Sequence, residues 1–489
     1  MCPQVLTDSW LGVRDSKSGS FPHDGMSKPL ETVELIAHKA PRALTCIDLF
    51  AGCGGLSLGL HQAGWEGMFA VERSPMAFET LSHNLIAKSQ HFPHWPSWFS
   101  KKACSIQQLT KNYRAELKGL RGKVMLIAGG PPCQGFSYAG KRQQHDPRNQ
   151  LYKSYLEVVG LVRPALVLLE NVTGIASEFG GRKKRGRGQP PMPYSKRIMR
   201  ALSKKFGYTM CDTEVLASDF GVPQSRVRFV AIGVDRSQFP KDATALDPDQ
   251  LLDTIRHALL SSHRLPVDRP ITCSEALSDL EYNPDNLADS PDTKGYKAGR
   301  YAEATTNYQL LMRGNLRIGE VADSHRFVKH RDEIVRRFKT IQRECPLGKN
   351  LPEDFKKEHG INKNCIVPLD PQKPSSTLTT IPDDMIHYLQ PRVLTVRECA
   401  RLQSFPDWFA IRSKYTTGGS RRKVECPRYT QVGNAVPPLM AEALGRALAS
   451  WVQAQETARA RATEAKPAVP FVTNCITTDL DEPVREAVG

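Results

Sequence analysis

The chain predicts an α/β fold, built on a doubly wound and mainly parallel sheet with a second, smaller domain. Three observations predict it. Short apolar runs recur at intervals of about 25 to 65 residues. Segments with helical spacing lie between several of them. Most of the runs end in glycine, proline or a single reactive side chain, where a doubly wound sheet binds its ligands.

Residues 1–41 are rich in Ser, Pro, Asp and Lys and predict a disordered extension. Ala43–Phe50 reads as a buried strand, Ala51–Gly55 as a glycine turn and Leu56–Ala63 as a helix. A second strand is expected at Met68–Glu72 and a helix from Met76 to about Ile86. Val124–Ala128 gives a third strand, ending at Gly129-Gly-Pro-Pro-Cys133. Ala165–Leu169 gives a fourth, ending at Glu170-Asn171, and Phe229–Gly233 a later one. These elements place the main domain over 42–235. Over 236–390 the rhythm weakens, which predicts a second domain of irregular or β-rich structure. Arg326–Gln342 has helical spacing within it. Residues 391–452 read as a helical return to the first domain, and 453–489 as a frayed tail.

With 67 Lys and Arg against 51 Asp and Glu, the net charge is +16, which favours a polyanionic partner. The charge is clumped. Phe179–Lys205 carries ten bases and no acid, Arg313–Arg343 nine bases and four acids, Ile411–Arg428 six bases and one acid. The first clump reads as a disordered basic insertion along phosphates. No run of about 18 apolar residues is present, so no membrane span is expected. The twelve cysteines show no zinc spacing. With no signal-peptide pattern at the start, they predict free thiols and no metal.

Cys133 follows two prolines at a strand end, on a stiff loop that lacks two backbone donors. By itself a buried structural thiol fits equally well. Glu170 alone suits a salt bridge as readily as catalysis. Arg226 and Arg228 stand at i, i+2, on one face of an extended strand, and by themselves could be surface charges. Asp48–Gly55 with Glu72 suits a nucleoside ligand, but the spacing is not that of a dinucleotide fingerprint.

Taken together these segments resemble the ordered motifs of the DNA (cytosine-5) methyltransferase family. The motifs are Asp48–Gly55, Glu72, Pro131-Pro-Cys-Gln134, Arg148-Asn149, Glu170-Asn-Val172, Gln224-Ser-Arg-Val-Arg228, Arg397–Gln403 with Phe405-Pro406, and Gln431–Pro438. The resemblance implies methyl transfer from S-adenosylmethionine to carbon 5 of a flipped cytosine in duplex DNA. Cys133 would be the nucleophile that adds at carbon 6. Glu170 would supply a proton at ring N3, Arg226 would meet the base carbonyl, Arg228 would support the site, and Asn171 would hold the Cys133 loop. Asp48, Phe50, Gly52, Gly54, Gly55, Glu72, Pro131, Asn434 and Val436 would border the cofactor. Ser137, Lys141, Arg142 and Gln224 would contact DNA. Ser105 stands where the family usually has an Asp that meets the adenine. Residues 236–390 would be the target recognition domain. The resemblance further implies a monomeric, cytoplasmic prokaryotic enzyme, and leaves room for a companion restriction endonuclease. The alternatives are a transfer-RNA cytosine methyltransferase and a non-catalytic DNA-binding protein on the same fold. The length of 236–390 favours DNA, and the presence of both Cys133 and Glu170 favours catalysis.

Overall fold

The computed structural model describes residues 42–88, 91–132, 151–177, 192–240, 243–417, 421 and 424–464. Its centre is a six-stranded sheet in the order β2-β1-β3-β4-β7-β5. The strands are β1 (Thr45–Leu49), β2 (Glu66–Val71), β3 (Leu126–Gly129), β4 (Leu166–Asn171), β5 (Tyr208–Leu216) and β7 (Val227–Asp235), with the two-residue β6 (Gln224–Ser225) before the last. The β2-β1-β3-β4 pairs are parallel, and β7 runs antiparallel to both β4 and β5. The mainly parallel expectation holds, with an antiparallel edge.

Alternation along the strands makes two cores. Cys46, Leu126, Leu166, Leu168, Val230 and Ile232 face one side, while Ile47, Leu49, Ile127, Val167, Leu169 and Phe229 face the other. Such double burial is why these strands read as continuous apolar runs. The first layer packs on α1 (Gly55–Gln62). The second packs on α3 (Ile106–Asn112), α4 (Arg114–Gly119), α5 (Leu151–Val162) and α6 (Tyr194–Phe206), while α2 (Pro75–Leu81) follows β2.

Two sequence expectations change here. The basic stretch 179–205 is not an arm throughout: Lys196, Arg197, Arg200, Lys204 and Lys205 belong to α6, which buries Tyr194, Ile198 and Leu202. The rest of that clump lies outside the described residues. The boundary at 236 also shifts. Helix α7 (Pro248–Ser262) packs on the long C-terminal helix of the first body rather than opening a new one.

Residues 263–390 comprise α8 (Cys273–Leu277), β8 (Leu287–Asp289), β9 (Lys297–Arg300), α9 (Asn307–Arg313), β10 (Val321–Arg326), α10 (Asp332–Glu344) and α11 (Glu353–Glu358). The helix expected from Arg326 starts at Asp332, because Arg326 closes β10. Strands β8, β9 and β10 form a small antiparallel sheet. Ile271, Leu277, Tyr301 and Leu369 share one apolar cluster with Leu56 and Leu444, so this region is fused to the main core. A satellite cluster holds Phe338, Ile341 and Ile386.

The chain returns through α12 (Val396–Leu402), α13 (Arg428–Asn434) and α14 (Pro438–Glu464). Helix α14 continues past the tail boundary expected at 453. It lies on α1, where a Cβ on Gly59 would stand 2.3 Å from the Pro438 carbonyl.

Candidate functional site

The carboxyl ends of β2, β1, β3 and β4 stand side by side and carry, in that order, Glu72, the Phe50–Gly55 turn, Gly130-Pro131 and Glu170-Asn171. The antiparallel β7 adds Arg228 at the same edge, since Glu170 pairs with Val230 and Asn171 with Phe229.

The turn after β1 is left-handed at Phe50 (φ 64°), Gly52 (φ 57°) and Gly54 (φ 101°). Phe50 pays for a conformation that L-residues avoid, a mark of a constrained functional loop. The Glu72 carboxylate ties the turn to β2: Gly52 N donates at 3.0 Å and Ser74 N at 2.6 Å. Burial raises the Glu72 pKa, and these two N–H groups oppose the rise. A Cβ on Gly52 would meet nothing within 4 Å, so the turn is open on that side. Gly55 is closed: its Cβ would stand 2.3 Å from the Val436 carbonyl. Val436 is thereby brought to the turn, and Asn434 is exposed at the end of α13. Asp48 lies beneath, buried, and its Oδ2 accepts the Ser57 hydroxyl at 2.6 Å. Burial pushes its pKa up to about 7, with Glu72 adding to the effect. The Asp48 carboxylate therefore braces α1 and does not face the opening.

Ser105 is the N-cap of α3. Its Oγ accepts Gln108 N at 3.2 Å, and Gln108 Oε1 accepts Ser105 N at 2.9 Å. The hydroxyl is thus engaged in a capping box.

On the other half, Glu170 is 7 % exposed and its Oε1 lies 3.0 Å from Arg228 Nε. Burial raises the Glu170 pKa, while Arg228 and then Arg226 pull it back. A Cβ on Gly130 would come to 3.0 Å from Glu170 Oε2, so the β3 loop passes close to the carboxyl group. Asn171 Nδ2 donates to the Pro131 carbonyl at 2.9 Å, and Asn171 Oδ1 accepts Val172 N at 3.0 Å. Asn171 therefore holds the segment that leads into Cys133. Cys133, Ser137, Lys141 and Arg142 themselves lie outside the described residues.

The arginine pair separates. Arg226 N bonds back to Gln224 O at 2.9 Å, and this local turn breaks the strand between β6 and β7. The guanidiniums then serve different partners. Arg228 joins Glu170. Arg226 is 2 % exposed and donates to Gly433 O (3.1 Å), Ala435 O (3.3 Å), Gln224 Oε1 (3.4 Å) and Leu378 O (3.5 Å). The expectation that Arg226 meets a base carbonyl is corrected on this geometry: Nη2 is turned to the main chain of the return segment, and Nη1 to Gln224 Oε1 and Leu378 O. Gln224, expected at DNA, has no exposed surface. Its amide donates to Leu402 O and Gln403 Oε1 and accepts Leu378 N. Nothing in the motif spacing showed that Gln224 and Arg226 point inward.

Residues 44–450 match the model of the C-5 cytosine-specific DNA methylase family. The chain belongs to this family. It is an enzyme, a DNA (cytosine-5-)-methyltransferase. It is similar to the type II methyltransferase M.DdeI of Desulfomicrobium norvegicum, with 30 % identity over 83 % of this chain and 89 % of that one. It is 29 % identical to M1.HphI of Haemophilus parahaemolyticus, over 83 % and 87 % of the two chains. Among solved structures, it resembles one described as a DNA modification methyltransferase encoded within an E. coli prophage. That match has 25 % identity and a TM-score of 0.55, over 84 % of this enzyme and all of the other chain.

Proposed function

We propose that the enzyme methylates carbon 5 of a cytosine flipped from duplex DNA, within a restriction–modification context, through a covalent bond from Cys133 to carbon 6. The observation that carries the reading is the buried Glu170–Arg228 pair close beside the loop that leads to Cys133.

S-adenosylmethionine supplies, when bound, an electrophilic methyl sulfonium. The residues present fit such a group: an open left-handed turn at Gly52, Phe50 beside it, and the Glu72 carboxylate at the next strand end. Gly54, Gly55, Asn434 and Val436 complete that border, with Pro131 between it and Glu170. Asp48 acts beneath it, as a brace of α1.

The base itself must leave the stack before a thiolate can reach its ring. Attack of the Cys133 thiolate on carbon 6 makes carbon 5 nucleophilic. Glu170 delivers a proton at N3 as charge builds there, and its burial keeps the acid form accessible. Arg228 fixes the carboxyl group and limits how far its pKa rises. Asn171 fixes the main chain two residues before the thiol. After methyl transfer, loss of the carbon-5 proton and elimination of Cys133 restore the aromatic ring. Ser137, Lys141 and Arg142 would contact DNA from the loop beyond Cys133.

The test is DNA carrying 5-fluorocytosine at the target, incubated with S-adenosylmethionine. Fluorine at carbon 5 blocks the final elimination, so a denaturation-resistant protein–DNA adduct forms with the wild type and not with Cys133→Ser. Absence of the adduct from active wild-type protein would overturn the covalent mechanism.

A further inference from the structure

Arg226 and Gln224 are buried polar groups that the chemistry above does not use. Both converge on the end of α13. Arg226 Nη2 donates to the carbonyls of Gly433 and Ala435. Gln224 Nε2 donates to Gln403 Oε1, and Gln403 Nε2 donates to the carbonyls of Val432 and Ala435 at 2.7 and 3.4 Å. The last carbonyls of a helix have no partner within it, and a cation placed there satisfies them at little electrostatic cost. What lies just beyond is Val436, whose carbonyl fits against Gly55. From the opposite side, a Cβ on Gly433 would come within 2.2 Å of the Thr379 carbonyl. The middle of α13 is fixed as well: Gln431 Nε2 donates to Met76 O, Arg412 O and Cys426 O, and Gln431 O accepts the Cys53 thiol. Its start is held by the recognition region, where Arg428 pairs with Asp292 and donates to Ser324 Oγ at 3.0 Å.

We propose that Arg226 is a positioning residue for the cofactor pocket: it clamps the end of α13 so that Asn434 and Val436 stay seated against the glycine turn. Two residues further on, Arg228 serves the base. One short segment thereby sets the spacing between the methyl donor and the reacting ring. The inference rests on the reading that Asn434 and Val436 border S-adenosylmethionine.

The experiment measures S-adenosylhomocysteine affinity of the full-length protein by calorimetry, without DNA. Arg226→Ala should weaken it about tenfold or more, and Arg226→Lys, which keeps a donor, should recover part of the loss. Arg228→Ala should leave it within about twofold. Binding by Arg226→Ala within twofold of wild type, with loss confined to steps that need DNA, would overturn the proposal and return Arg226 to the base. Failure of the wild type to bind would instead overturn the cofactor reading itself. If Arg226→Ala does not fold, Arg226→Lys decides alone: unchanged affinity counts against the clamp, and weakened affinity with unchanged thermal unfolding supports it.

Discussion

Arg228 Nε stands 3.0 Å from Glu170 Oε1, with both side chains about nine-tenths buried. The pair sets two opposing influences on one carboxyl group. Burial favours its acid form, and the guanidinium favours its charged form.

A pH profile should separate them. If protonated Glu170 drives the reaction, the rate falls as pH rises through its pKa. Removing the Arg228 charge raises that pKa further. The high-pH limb of kcat/KM in Arg228→Gln should therefore move upward by about one unit, on top of an overall loss of rate. Glu170→Gln should lose the limb altogether and about 10² to 10⁴ in kcat, with DNA affinity within about threefold. A limb that stays in place in Arg228→Gln would assign it to another group.

Asp48 makes a second pH prediction, on stability. Its pKa moves from the ordinary 3.8 to about 7 in the folded protein, through burial first. The folded state therefore binds a proton that the unfolded state has released between those values. The resulting cost is absent below about pH 4, grows as pH rises, and is complete above about pH 7, at roughly 4 kcal/mol before any relaxation. Asp48→Asn keeps an acceptor for Ser57 and has no such dependence. Urea unfolding of both proteins at pH 5 and pH 8 should show wild type losing stability relative to the variant at the higher pH. A constant difference would mean that Asp48 ionises freely.

Much of this arrangement was legible in the chain, and the exceptions have physical causes. Strands β1, β3, β4 and β7 are buried on both faces, so their sequences are nearly all apolar. Strand β5 was missed because it is an edge: Asp212-Thr-Glu214 puts three polar residues in a row, and its burial is partial. Glu170, Glu72 and the glycine turn were legible because each ends a strand. The division between Arg226 and Arg228 was not, because it depends on a turn at Gln224 and on carbonyls some 200 residues away in the chain. The role of Ser105 was readable in principle, as Ser-x-x-Gln is a capping box.

Arg401 anchors α12. It donates to Asp279 through Nη1 and Nη2 at 2.8 and 3.1 Å and to Asp407 through Nε at 2.9 Å, and none of the three side chains is exposed. Arg401→Met removes this cation and leaves the two buried carboxylates only their longer ion pairs, Asp279 with Arg313 at 3.7 Å and Asp407 with Arg397 at 3.6 Å. The expected loss is about 3 to 5 kcal/mol, the usual consequence of breaking a buried pair from one side. Denaturant unfolding checks it, and a loss below about 1 kcal/mol would mean that water enters to solvate the acids.

Two glycines of the same turn should respond in opposite ways to an added methyl group. Gly52 has open space around a Cβ but sits at φ 57°, so Gly52→Ala carries backbone strain alone, about 1 to 2 kcal/mol. Gly55 is helical and unstrained, yet its Cβ would lie 2.3 Å from the Val436 carbonyl and 3.1 Å from the Phe405 ring. A main-chain carbonyl cannot step aside as a flexible side chain can. Gly55→Ala must therefore push the 434–436 segment off the turn, and with it the proposed cofactor border. Gly52→Ala should keep S-adenosylhomocysteine affinity within about fivefold, and Gly55→Ala should lose well over tenfold even at a temperature where it remains folded. Calorimetric titration of both variants, each checked by thermal unfolding, decides. Equal affinities would show that the contact between Gly55 and Val436 plays no part in holding the cofactor.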